Sequence, residues 1–173
     1  MKQKTKSSKF ILGICASNSG IGKTYLIENL LPQLKNKGLN VSVIKHAHHT
    51  FDIDTPGKDS FRIRKAGAFQ TLVFNKERAA LITETDDNSF SLDKAINQID
   101  SSTDIILIEG LKNMLYPKIE VYRKGKSLEK LYDNDAHIIA VASDHPLNSK
   151  IPCLDLNNID EIINFIIKIY NNE

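Results

Sequence analysis

Unbroken apolar runs alternate along the chain with amphipathic segments. Residues 10–16 (FILGICA) are apolar or small throughout, the pattern of a strand buried on both faces. Residues 24–37 read as a helix: Leu26, Ile27, Leu30, Leu31 and Leu34 form one stripe, and Gly38 supplies the stop. Pro32 lies within that segment, deletes one backbone donor and predicts a kink. Residues 41–44 predict a second short strand. A polar stretch follows from Lys45 to Lys58, then a helix to about Ala66 closed by Gly67. Residues 70–74 and 79–83 read as strands, 92–99 as a helix, 105–108 as a strongly apolar strand, and 118–123 and 137–142 as further strands. Asn158 and Glu161 have capping-box spacing, ahead of a helix whose apolar face is Ile159, Ile162, Ile163, Ile166 and Ile167. Strands alternating with helices, the strands mostly without polar alternation, predict an α/β fold with a mainly parallel sheet. The consecutive strands near 70–83 and 118–123 predict an antiparallel edge or a protruding ribbon.

No repeat, low-complexity tract or proline-rich linker divides the sequence, so residues 1–173 read as one domain with a frayed start over residues 1–9. A hydrophobic share of 41% and a charged share of 25% exclude disorder, collagen and a coiled-coil rod. A chain of this size buries roughly 70% of its unfolded surface, enough for a core without staples. The 23 basic and 21 acidic residues leave a formal charge of +2, which gives no case for nucleic acid or an anionic membrane. No run approaches the ~20 apolar residues needed to span a bilayer. The basic start has the charge of a signal-peptide n-region, but its apolar run is short and leads straight into a glycine loop. Cys15 and Cys153 form neither a C-x-x-C pair nor a disulfide framework. They read as small core residues in a reducing compartment, and the protein as cytoplasmic.

The segment Ser17-Asn18-Ser19-Gly20-Ile21-Gly22-Lys23-Thr24 lies between the first strand and the first helix. It matches the phosphate-binding loop G-x-x-x-x-G-K-[ST] except that Ser17 replaces the first glycine. Small residues let successive backbone N–H groups curl around a phosphate, and the helix N-terminus adds positive potential. In that role Lys23 neutralises β- and γ-phosphates and the Thr24 hydroxyl ligates Mg²⁺. Such a loop needs an acidic partner at the end of a neighbouring strand. Glu109 emerges where the apolar run 105–108 ends and is the candidate for a second Mg²⁺ ligand. Asp104, at the opposite end of that strand, is too far away to help.

A second unusual block begins where the second strand ends. His46, His48 and His49 are followed by Asp52 and Asp54, then by Lys58, Ser60, Arg62 and Arg64. In an open α/β sheet this edge is the ligand-binding edge. Asp52 and Asp54 are candidates to orient a water or assist Mg²⁺. The histidines with Lys58, Arg62 and Arg64 are candidates for an anionic second ligand, the arginines forking onto phosphate or carboxylate. The histidines are also possible metal ligands by type, but their spacing fits no tetrahedral motif. Asp144, after the strand-like run 137–143, resembles in position the carboxylate with which guanine-specific P-loop proteins often read the base, although the usual Asn/Thr-Lys-x-Asp signature is absent.

Taken together, residues 16–24, the block 45–60, residues 62–68 and the segments 108–112, 117–121 and 140–144 resemble the MobB family of molybdopterin-guanine dinucleotide biosynthesis adapters. The histidine-to-glycine block carries the resemblance more specifically than the phosphate loop does. The resemblance implies a P-loop NTPase-like three-layer fold, with helices on both faces of the sheet and the antiparallel edge or ribbon. It implies GTP and Mg²⁺ as cofactors, weak GTPase activity and a homodimer. It also implies a partner guanylyltransferase, MobA-like, which performs the transfer that converts molybdopterin to its guanine dinucleotide. Asn18, Ser19, Gly20, Ile21, Gly22, Lys23 and Thr24 then hold the nucleotide. The stretch 116–135 is assigned no more than a ribbon at a dimer contact. Two other readings of the motifs are a P-loop small-molecule kinase and a metallochaperone GTPase built on His46, His48 and His49.

Overall fold

In chain order the elements are β1 (Phe10–Cys15), α1 (Lys23–Asn36), β2 (Val41–Lys45), α2 (Asp59–Lys65), β3 (Gln70–Phe74), β4 (Ala79–Thr83), α3 (Leu92–Gln98), β5 (Ile105–Glu109), β6 (Lys118–Tyr122), β7 (Ile138–Ser143), β8 (Cys153–Asp155) and α4 (Ile159–Tyr170). The computed structural model describes residues 9–47, 51–85 and 90–172. They fall into two units: a sheet unit, made of the chain up to His46 and from Gln98 onward, and a small unit, Ala47–Asn97. The expected frayed start lies outside the described residues except for Lys9, whose ammonium donates to the Ile99 carbonyl.

The sheet unit is built on six parallel strands in the order β2-β5-β1-β6-β7-β8. The apolar runs occupy its centre, with Leu12, Ile14 and residues 105–108 fully buried. Leu12, Ile14, Ile105 and Leu107 pack with Leu26, Leu30 and Leu34 of α1 and Ile162, Ile163 and Ile166 of α4. α1 continues through Pro32 as one helix. Pro32 and Glu28 are both exposed, so the carbonyl that loses its helical donor faces water. Asn158 caps α4 as the spacing predicts, its side chain accepting from the Glu161 N–H at 3.2 Å.

One expectation fails. Residues 118–123 form no ribbon, because β6 is an inner strand, parallel to both β1 and β7. Its alternation of polar and apolar residues mimics a half-exposed strand, yet Lys118 and Glu120 are fully buried. Each has its partners. The Lys118 ammonium donates to the carbonyls of Lys112 (2.7 Å) and Met114 (2.8 Å) and to the Asp135 carboxylate. Glu120 accepts the N–H groups of Leu131 (3.1 Å) and Tyr132 (2.9 Å) at a 3₁₀ turn. Gly13 in β1 makes room for this arrangement, since a Cβ there would lie 1.8 Å from Met114 Cε and 2.7 Å from Lys118 Cγ. β8 is a three-residue strand that no periodicity announces.

In the small unit β3 and β4 pair antiparallel as a separate two-stranded sheet, the ribbon expected there. Asn75 closes the turn, its side-chain oxygen accepting the N–H groups of Glu77 and Arg78.

Candidate functional site

All six strands of the larger sheet end on one edge. Glu109 is level with Ile14 and with Lys45, so β1, β2 and β5 finish together. The chain leaves β1 toward β2 on one side and β6 toward β7 on the other, which makes the crevice between β1 and β6 a topological switch point. The glycine loop starts there. Gly20 (φ 75°) and Gly22 (φ 110°) are left-handed, a conformation that costs side-chain-bearing residues and lets the loop curl back. Lys23 closes the curl by donating to the Asn18 carbonyl at 3.0 Å. No side chain caps the start of α1 and its first turn carries no acid, so its free N–H groups suit an anion. Ser17, the departure from the motif, donates to Asn18 Oδ1 (2.7 Å) and accepts the Leu128 N–H (3.0 Å), tying the loop to the segment after β6.

Thr24 and Glu109, 85 positions apart, meet at the mouth of this loop. The Thr24 hydroxyl donates to Glu109 Oε1 at 2.6 Å, and Lys45 Nζ lies 3.4 Å from Oε2. Glu109 is only 9% exposed. A hydroxyl and a carboxylate are hard oxygen donors, and together they fit Mg²⁺. Asp104, as expected, is at the far end of the strand, accepting the Asn40 N–H at 2.8 Å.

Across the crevice, Arg123 follows β6 and Asp144 follows β7. The Arg123 guanidinium donates from Nε to the Ile21 carbonyl (2.9 Å) and from Nη1 to Asp144 Oδ2 (3.3 Å). His145 Nδ1 lies 3.0 Å from Asp144 Oδ1. Hydrogen bonding by His145, opposed by burial and reinforced by Arg123, holds the Asp144 carboxyl below its ordinary range. Beside it opens a cavity of about 330 Å³ lined by Asp144, His145, Pro146, Leu147, Cys153 and Asp155. That is large enough for a heteroaromatic base.

The second block is divided between the units. His46 ends the sheet unit, its N–H donating to the Glu109 carbonyl at 3.2 Å. His48 and His49 lie outside the described residues. Within the small unit, Arg64 Nη2 donates to both oxygens of Asp52 (2.7 and 2.8 Å), Nη1 donates to Glu84 (2.6 Å), and Nε lies 3.7 Å from Asp54. The Arg64 hydrogen bonds hold the Asp52 carboxyl below its usual range. Asp54 also accepts the Ser60 hydroxyl at 2.8 Å. Lys58 precedes α2 and is exposed, and Arg62 has its nearest carboxylate, Asp59, at 3.8 Å. Among the described residues no group of three or more His, Cys, Asp or Glu side chains is gathered to hold a metal ion.

Residues 11–144 match the family described as MobB, molybdopterin guanine dinucleotide synthesis protein B. The chain belongs to this family. It is 43% identical over 157 residues to the molybdopterin-guanine dinucleotide biosynthesis adapter protein of Escherichia coli K12, covering 88% of this chain and 89% of that one. The corresponding adapter of Haemophilus influenzae is 42% identical, over 90% of this chain and 86% of its own. In structure the chain is similar to crystalline molybdopterin-guanine biosynthesis protein B, with a TM-score of 0.74 and 25% identity over 92% of this chain and 99% of that one. The fold is accordingly P-loop NTPase-like.

Two residues at this edge escape a reading of the sequence. Lys45 reaches Glu109 because β2 is the register neighbour of β5. Arg123 reaches the glycine loop because β6 is the neighbour of β1. Lys45 is the last residue of β2 and Arg123 the first after β6, positions that mark the edge without saying what either side chain meets. Strand order, which decides what each can touch, is not written locally.

Proposed function

We propose that this protein is a GTP-binding adapter for molybdopterin guanine dinucleotide synthesis. It hydrolyses GTP slowly and works beside a separate MobA-like guanylyltransferase on molybdopterin or its guanine dinucleotide. One observation carries the reading: Thr24 and Glu109 converge beside an uncapped helix start whose glycine loop already curls on Lys23. Backbone N–H groups from Asn18 to Thr24 bind the phosphates, and the Lys23 ammonium turns from the Asn18 carbonyl to the β- and γ-oxygens. Thr24 and Glu109 would hold Mg²⁺, which when bound offsets charge on the same oxygens. Asp144 takes the base, accepting from the N1–H and exocyclic amine of guanine at the cavity beside it. Asp52 and Asp54 are engaged by Arg64, which leaves Lys58 and Arg62 as the exposed cations for an anionic second ligand such as the pterin.

The homodimer rests on the ribbon. Leu72, Phe74 and Leu81 are exposed on a sheet that has two strands among the described residues, a surface suited to a second copy. A cytoplasmic setting agrees with two free cysteines and with the lack, among the described residues, of a helix long and apolar enough to cross a membrane.

Calorimetric titration tests the nucleotide reading. Lys23→Ala is expected to weaken GTP binding by about 2–4 kcal/mol, the scale for truncating one partner of a desolvated charge pair. Unchanged affinity would remove the assignment. Glu109→Gln should keep nucleotide binding but flatten its Mg²⁺ dependence. In a reconstituted assay with the transferase, replacing Lys58 and Arg62 with alanine should spare GTP binding and depress dinucleotide formation.

A further inference from the structure

Arg123 belongs to no motif, yet its guanidinium joins two parts of the sheet edge that are far apart in sequence. Nε donates to the Ile21 carbonyl at 2.9 Å, inside the glycine loop. Nη1 donates to Asp144 Oδ2 at 3.3 Å, at the mouth of the 330 Å³ cavity. A Cβ added to Gly22 would lie 3.7 Å from Arg123 Nε and Nη2, so the guanidinium lies close against the loop backbone.

The peptide bond makes the first contact consequential. Across the planar, trans Ile21–Gly22 unit, the carbonyl and the next N–H point in opposite directions. Pinning the Ile21 carbonyl to Arg123 therefore turns the Gly22 N–H away from Arg123. The backbone that follows is held as well. The Ser127 hydroxyl bonds to the Arg123 N–H (2.9 Å), the Leu128 N–H donates to Ser17 and Asn18, and Asn18 Nδ2 donates to the Lys126 carbonyl (3.3 Å). A side chain anchored this way has little freedom to follow one partner and release the other.

We propose that Arg123 is a positioning residue that couples the phosphate loop to the base-reading carboxylate, one guanidinium orienting the Ile21–Gly22 peptide and Asp144 together. This rests on the nucleotide reading above. Losing this guanidinium therefore disturbs both subsites together, the loop peptide and the base-reading carboxylate. Arginine suits the role because separate nitrogens on a rigid plane reach both acceptors at once. A lysine ammonium keeps the charge but cannot span them.

The test is a double-mutant cycle on the full chain with R123M, D144N and the double variant, with R123K as a second substitution that keeps the charge. GTP, ATP and inorganic triphosphate are titrated into each. R123M is expected to weaken GTP binding about 10- to 100-fold, the range for losing charge-assisted hydrogen bonds. It should also weaken inorganic triphosphate and shrink the preference for GTP over ATP. D144N should shrink that preference while leaving inorganic triphosphate unaffected. The two effects on GTP should fall short of multiplying by about fivefold or more, and R123K should resemble R123M. Parent-like GTP affinity and preference in R123M would overturn the coupling alone. So would independent, multiplying effects, or a loss in R123M equal for GTP and ATP, which marks a plain phosphate contact. A D144N variant with full GTP preference would overturn base reading at Asp144 and the coupling with it. A parent chain that binds no triphosphate would overturn the nucleotide reading itself.

Discussion

The sheet unit and the small unit are held together by different means. In the first, apolar strands and the inner faces of α1 and α4 form a fully buried core, and the polar residues within it, Lys118 and Glu120, have all their partners. In the second, Thr71 is the one described residue that is buried, while Phe51, Ile53, Phe69, Leu72 and Phe74 are exposed. Its order comes from one arginine gathering three carboxylates and from a two-stranded ribbon, a unit marginal by itself in water. The contrast separates two kinds of work. A rigid sheet edge suits the positioning of phosphates to within tenths of an ångström. A thinly buried unit with apolar surface suits contact with another molecule, which supplies the missing burial.

The largest effect that would break this contrast is expected at Lys118. Lys118→Met should cost roughly 3–5 kcal/mol, because it leaves Asp135 and two carbonyls without their cation. Urea unfolding measures it, and a cost under 1 kcal/mol would mean that the buried network is not holding the sheet unit. Arg64→Met should loosen the small unit alone, because it frees Asp52 and Glu84 from their shared cation. Hydrogen exchange should rise across residues 47–97 and leave β1, β5 and β6 protected. Uniform loss of protection would erase the distinction between the units.

Burial pushes the Cys15 thiol up to about 12, from an ordinary value of 9.0, with Glu120 adding to the effect. Between these values the unfolded chain releases the proton and the folded chain keeps it, so stability falls as pH rises above 9. Relative to Cys15→Ala, the parent should lose about 1.4 kcal/mol by pH 10 and nothing at pH 7. Parallel stability curves from pH 7 to 10 would show that the core admits water at β1. The smallest expected change in stability sharpens the contrast most. Measured at concentrations where the chain is monomeric, Phe74→Ser should alter it by less than about 0.5 kcal/mol, since within one chain the ring is exposed. It should nevertheless convert a dimer to a monomer by sedimentation, and an unchanged sedimentation coefficient would separate the ribbon from self-association.

Local information was sufficient wherever one residue's neighbours in sequence set its state. The apolar run of β1, the stripe of α1, the Asn158 cap and the glycine loop between β1 and α1 depend on spacing and backbone preference, and all are legible without a fold. The place of Glu109 was legible too, because an acid that closes a buried apolar run falls at the strand's end. What needed the tertiary structure was adjacency. Lys118 and Glu120 lie in a segment that reads as an edge or ribbon until the strands on either side and the turn at Leu131 provide them with partners. Asp52 and Asp54 read as carboxylates able to orient a water or assist Mg²⁺, and only the fold brings Arg64 against both. Lys45 and Arg123 acquire their contacts only from the order of the strands, which is decided by packing over the whole sheet and is not encoded in any one segment of the chain.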